Sequence, residues 1–133
     1  MINTMSFKTI LIVDDDSDYL YQLSFYLQKN GYTVISANNE KEAMRIIEEV
    51  MPDLAILDLM MENEDSGFKL SYRLKKKYPS VPIIISTAVS SETGINFGFH
   101  SEEDRQWIKA DVYLEKGIRH EQMLAEVKKI LKE

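Results

Sequence analysis

The chain contains no cysteine, which excludes disulfides, thiolate metal sites and cysteine nucleophiles. It has two histidines, His100 and His120, too few for a multi-histidine zinc centre. Long apolar runs are missing as well. The longest candidate, Val81 to Ala88, is broken by Pro82 and by hydroxyl side chains, and nothing approaches the ~20 residues that span a bilayer. Met1 to Ser6 is too short for a signal peptide, so the expected address is the cytoplasm, with no membrane partner. Basic charge is also in short supply. The formal net charge is −6, which argues against direct nucleic-acid binding, because a duplex partner calls for a basic patch. The one basic run, Lys75-Lys76-Lys77, falls late in an expected helix, where a solvated end suits the helix dipole.

Hydrophobic content of 44% and charged content of 29% fit a globular protein. The 133 residues suit one domain, and no repeat, low-complexity tract or linker divides them. Five apolar strand-like runs alternate with five helical segments, an order that predicts a parallel α/β sheet. The strands are expected over 7–13, 33–36, 54–58, 82–87 and 111–115. The helices are expected over 17–29, 40–50, 66–78, 102–109 and 119–131. Their buried stripes follow the helical period: Leu20, Leu23 and Leu27 in the first, Ala43, Ile46, Ile47 and Val50 in the second. Phe68, Leu70 and Leu74 serve the third, and Met123, Leu124, Val127, Ile130 and Leu131 the last. Asn30-Gly31, Pro52 and Pro79 supply the stops.

Two of these strands run into carboxylates. The first ends in Asp14-Asp15-Asp16 and the third in Asp58. Thr87 closes the fourth strand and Lys116 follows the fifth. In an open parallel sheet, ligands gather at the carboxyl ends of the strands, near a topological switch point. Carboxylates crowded there raise one another's pKa values unless a cation sits between them, and a donor set of oxygen alone favours Mg²⁺. Such an ion, with a lysine, can neutralise the equatorial oxygens of a transferring phosphoryl group, and a threonine hydroxyl can donate to the same oxygens. Singly, each residue has an ordinary explanation: Asp16 or Ser17 as a helix cap, Asp58 as a turn residue, Thr87 as strand propensity, Lys116 as surface. Their joint order, each at the end of its own strand, favours a site.

The segments V-D-D at Val13 to Asp15, L-D at Asp58, T-A at Thr87-Ala88 and Y-L-E-K at Tyr113 to Lys116 resemble the receiver domains of bacterial response regulators. The likeness runs from Phe7 to Leu131. It implies a flavodoxin-like (βα)₅ three-layer sandwich with strand order 2-1-3-4-5, residues 1–133 forming a single receiver domain with no output domain. It implies that Asp58 accepts a phosphoryl group from a sensor histidine kinase, as a switch rather than an enzyme. Asp15, Asp58 and the backbone carbonyl of Met60 would ligate Mg²⁺ directly, with Asp14 acting through water. Lys116 would pair with the phosphoryl oxygens, Thr87 would move onto them, and Tyr113 would rotate inward behind it, altering a protein-binding face. The partner there would be a target or a phosphotransfer protein, met by a monomer or weak dimer.

Three departures from the family pattern stand out. Glu62 replaces the usual proline four residues after the acceptor, and Gly67 comes one residue late, so a longer, more acidic loop is expected over 60–66. Gly117 replaces the proline after the lysine, so a trans bond is expected there, since a non-proline cis bond costs about 2.5–4 kcal/mol. The stretch between Thr87 and Lys116 is long for the family, and Phe97, Phe99, His100 and Trp107 within it are expected to shape a partner face or to fold back as core. The family tunes phosphoryl lifetime two residues after the acceptor and two after the threonine. Here those positions are Met60 and Val89, which cannot hold an attacking water, so slow self-dephosphorylation is expected, on the order of tens of minutes or longer.

Two other readings compete. A phosphatase of the haloacid-dehalogenase type would use Asp14 as nucleophile and Asp16 as general acid, with Thr87 and Lys116 in its later motifs. It would leave Asp58 without a task, and the chain has no cap domain. A receiver that binds partners without phosphorylation is the other, kept open by Glu62 and Gly117.

Overall fold

The computed structural model describes residues 8–61, 63, 65–87 and 110–133. Five strands lie within them: β1 (Thr9–Val13), β2 (Thr33–Ala37), β3 (Leu54–Asp58), β4 (Ile83–Thr87) and β5 (Val112–Glu115). All four pairings are parallel and the order is β2-β1-β3-β4-β5. Four helices are described: α1 (Ser17–Lys29), α2 (Glu40–Glu49), α3 (Ser66–Lys77) and α4 (His120–Leu131). The helix expected over 102–109, and the aromatic residues Phe97, Phe99, His100 and Trp107, lie outside the described residues.

Strand residues alternate between two faces, and each face has its own core. Leu11, Val13, Ala55, Leu57, Ile83 and Ile85 pack under α2 and α3, against Ala43, Ile46, Ile47, Leu70 and Leu74. Ile10, Ile12, Leu54, Ile56 and Ile84 pack under α1 and α4, against Leu20, Leu23, Leu27, Met123 and Val127. The central strands β3 and β4 are buried at every position, as a doubly covered parallel sheet requires. Val50, Phe68, Leu124, Ile130 and Leu131, expected as core, are only partly buried and pack on the rims of these clusters.

Boundaries moved by a residue for identifiable reasons. Pro82 has no N–H to give, so β4 begins at Ile83. Asp111 stands just ahead of β5 and accepts the Ile83 amide on its side chain at 2.8 Å. The backbone of Val50 is extended, which ends α2 at Glu49. At the start of α1 the cap is Asp16, whose Oδ1 accepts the Tyr19 amide at 3.1 Å.

The chain winds from β1 outward to β2, then returns past β1 to β3. The reversal therefore falls between β1 and β3, and a crevice opens beyond their carboxyl ends. Val13 pairs with Leu57 at the last rung, so the residues that follow, Asp14 and Asp58, emerge side by side.

Candidate functional site

Carboxylate oxygens of Asp14, Asp15 and Asp58 lie within 4.8 Å of one another. Asp14 and Asp58 are 1% and 5% exposed, while Asp15 faces solvent. A cluster of this kind, all oxygen and open on one side, suits a hard divalent cation.

Lys116 enters from the loop after β5. Its Nζ donates to Asp14 Oδ1 at 2.9 Å and stands 3.6 Å from Asp58 Oδ2. Its own amide donates to the Thr87 carbonyl at 2.7 Å, which ties the loop to the end of β4. The Lys116–Gly117 peptide is trans, as expected, since no cis bond occurs among the described residues.

The electrostatics follow from burial and crowding. Burial, then the charges of Asp14 and Asp15, push the Asp58 carboxyl up to about 7, against the opposing pull of Lys116. For Lys116, burial lowers the affinity for its proton, but the hydrogen bond to Asp14 and the charges of Asp58 and Asp14 outweigh it and leave the pKa raised. Lys116 is thus a fixed positive charge.

Thr87 is 5% exposed at the end of β4, in register with Glu115. Tyr113 is paired with Ile85 on β5 and is half-exposed. By alternation it lies on the sheet face opposite Val112 and Leu114, which pack with α1 and α4. Burial raises its phenol to about 12. Met60 follows Asp58 on the outgoing loop with its side chain exposed. Glu62 and Val89 lie outside the described residues.

That loop is held from two directions. The Ser66 hydroxyl donates to Glu40 Oε1 at 2.8 Å, joining the start of α3 to the start of α2. Gly67 packs directly on the chain leaving β3: a Cβ there would stand 2.6 Å from the Asp58 carbonyl and 2.7 Å from Leu59 Cα. Only glycine fits so close an approach. Gly67 therefore sets where Asp58 sits; the resemblance to receivers marked it as the glycine near the start of the third helix, but the sequence did not show what it packs against.

Two contributors escaped sequence reasoning. The ring of Tyr19, in the first turn of α1, lies 5.1 Å from Lys116 Nζ. Ser86, on β4 beside Asp58 in the ladder, buries a hydroxyl that makes no hydrogen bond at standard geometry, although the Tyr19 phenol is near enough to interact with it.

A family model, the response regulator receiver domain, matches residues 10–128. The chain belongs to that family. The receiver is 32% identical over 125 residues to the alkaline phosphatase synthesis transcriptional regulatory protein PhoP of Bacillus subtilis, a match covering 94% of this chain and 49% of PhoP. It thus spans about half the length of that curated relative. Among solved structures, it resembles a CheY-like receiver domain protein from Methanospirillum hungatei, with 28% identity, a TM-score of 0.79, and coverage of 96% of this chain and 95% of that one. It also resembles the response regulator TrrA of Thermotoga maritima in complex with Mg²⁺–BeF, with 30% identity, a TM-score of 0.74 and coverage of 92% and 98%. Receiver domains of two-component response regulators are phosphorylated on aspartate and act as phosphoacceptor switches rather than as conventional enzymes. The phosphatase reading falls with this result, and the geometry agrees: the Asp16 side chain is engaged in capping α1.

Proposed function

We propose that Asp58 is the phosphoacceptor of this receiver, taking its phosphoryl group from the phosphohistidine of a sensor kinase. The observation that carries the reading is the meeting of Asp14, Asp15 and Asp58 at one strand reversal, with Lys116 poised between two of them.

An Asp58 oxygen attacks phosphorus, the P–N bond of the donor breaks, and the imidazole leaves with the electron pair. Only the ionised carboxylate can attack, and Lys116, together with a cation among the carboxylates, would favour that form against the burial that raises the Asp58 pKa. Lys116 stands 3.6 Å from the acceptor, close enough to leave Asp14 and pair with the phosphoryl oxygens as charge builds on them. Thr87, buried at the adjoining strand end, then donates its hydroxyl to the same oxygens. Tyr113, half-exposed on β5, turns inward behind it and alters the face offered to a target or phosphotransfer protein.

The donor set suits Mg²⁺: Asp15, Asp58 and the Met60 carbonyl would hold the ion, with Asp14 acting through water. Bound there, it would offset the mutual repulsion of the carboxylates and neutralise phosphoryl charge. The Thermotoga maritima relative, solved with Mg²⁺–BeF, supports the choice of ion.

The test is phosphorylation with acetyl phosphate and Mg²⁺, read by intact mass. One added phosphoryl group is expected on the wild type and none on Asp58→Asn. Labelling of both to the same extent would remove Asp58 from the role.

A further inference from the structure

Lys116 has four freely rotating carbons between its backbone and its charge, yet the site needs that charge at one point. Asp14 supplies a hydrogen bond at 2.9 Å. The second contact is aromatic: the Tyr19 ring, 5.1 Å from Nζ, is within the range at which a ring face attracts an ammonium.

The ring is itself well held. Its backbone is fixed by the Asp16 cap, which accepts the Tyr19 amide. His120, at the start of α4, meets the ring edge-on with centroids 6.2 Å apart. Tyr26, two turns further along α1, supports His120 in turn at 5.5 Å. The ring is thus clamped between the two helices that cover this face of the sheet, and its cationic partner reaches both Asp14 and Asp58.

We propose that Tyr19 is a positioning residue for Lys116, its ring holding the ammonium between Asp14 and the acceptor so that a short swing brings it onto the phosphoryl group. This role rests on Asp58 being the phosphoacceptor; the contact itself does not. It also gives α1 and α4 a mechanical link to the site, through Tyr19 and His120. The role is assigned to the ring, and Tyr19→Phe tests it by removing the phenol that lies near Ser86.

Tyr19→Phe keeps the ring, while Tyr19→Leu and Tyr19→Met remove it and leave a good helix former, the second guarding against a folding defect in the first. Two readouts separate the contact from the chemistry. In NMR spectra the Lys116 ε-methylene protons should be shifted upfield by the ring in wild type and Tyr19→Phe, and return to ordinary values in the Leu and Met variants. The rate of phosphorylation by acetyl phosphate should stay within about twofold in Tyr19→Phe and fall at least about threefold in the ringless variants, because an ammonium no longer held at the site must be positioned anew at each turnover. An upfield shift that persists without the ring would overturn the contact. Equal rates in all four proteins, or a Phe variant as slow as Leu, would overturn the positioning role. If even the wild type takes up no phosphoryl group, the acceptor reading and the role built on it both fall, while the NMR result still decides the contact.

Discussion

A carboxyl group enclosed beside two others holds its proton more tightly than one in water. Asp58 is in that position, its pKa raised to about 7, first by burial and then by Asp14, with Lys116 opposing. The consequence for stability has a definite sign. Because the native state binds the proton more tightly than the unfolded chain, folding takes one up between about pH 4 and 7. The contribution is therefore fully present below the unfolded pKa and is lost as pH rises through about 7. In chelator, the urea midpoint of the wild type should fall relative to that of Asp58→Asn between pH 5 and pH 8. Parallel curves would show that Asp58 titrates normally. Asp58, its acidic neighbours, Thr87 and Lys116 were all visible in the sequence because each sits at a strand end, where position follows from pattern. Tyr19 was not. Its partner is far along the chain, and a tyrosine one turn into an amphipathic helix looks like any partly buried side chain.

Elements place these residues, and two glycines separate placement from tolerance. At Gly67, Cβ would collide with backbone of the β3 exit, 2.6 Å from the Asp58 carbonyl, and backbone cannot step aside as a side chain can. Gly67→Ala should destabilise the fold by about 1–3 kcal/mol and slow phosphorylation of Asp58 together, read by urea unfolding and intact mass. At Gly117 a Cβ meets nothing within 4 Å, and its φ is not positive. Gly117→Ala should leave stability within about 0.5 kcal/mol of the wild type. Among the described residues, helix and strand extents were readable to within a residue from periodicity and stop signals, except that β1 begins at Thr9, two residues later than expected. The lysine run was not read as fully. Lys75 reaches Asp111 beside β5 at 3.1 Å, and Lys77 reaches Glu48 on α2 at 3.3 Å. A run expected only to meet solvent also ties α3 to its neighbours, because a tertiary partner leaves no trace in local pattern.

Among the described residues, three carboxylates meet at one rim of the sheet, where the order 2-1-3-4-5 reverses. That order came from the resemblance to receivers; composition and periodicity alone gave only a parallel sheet. A ligand that binds the native rim and not the unfolded chain must raise stability by mass action, about 2.7 kcal/mol at a hundredfold excess over its Kd. The thermal midpoint should thus rise with Mg²⁺ to a saturating value, and Asp15→Asn should abolish the rise. A response equal to that of monovalent salt at matched ionic strength would mean that only bulk screening acts. Among the described residues, no helix is long and apolar enough to cross a membrane.

Which aspartate carries the phosphoryl group is the question that decides the role proposed for Asp58. After reaction with acetyl phosphate and Mg²⁺, borohydride reduction converts an acyl phosphate to homoserine, and tandem mass spectrometry of the peptides locates it. Homoserine at position 58 is the expected result. Homoserine at position 14, with Asp58 intact, would contradict it.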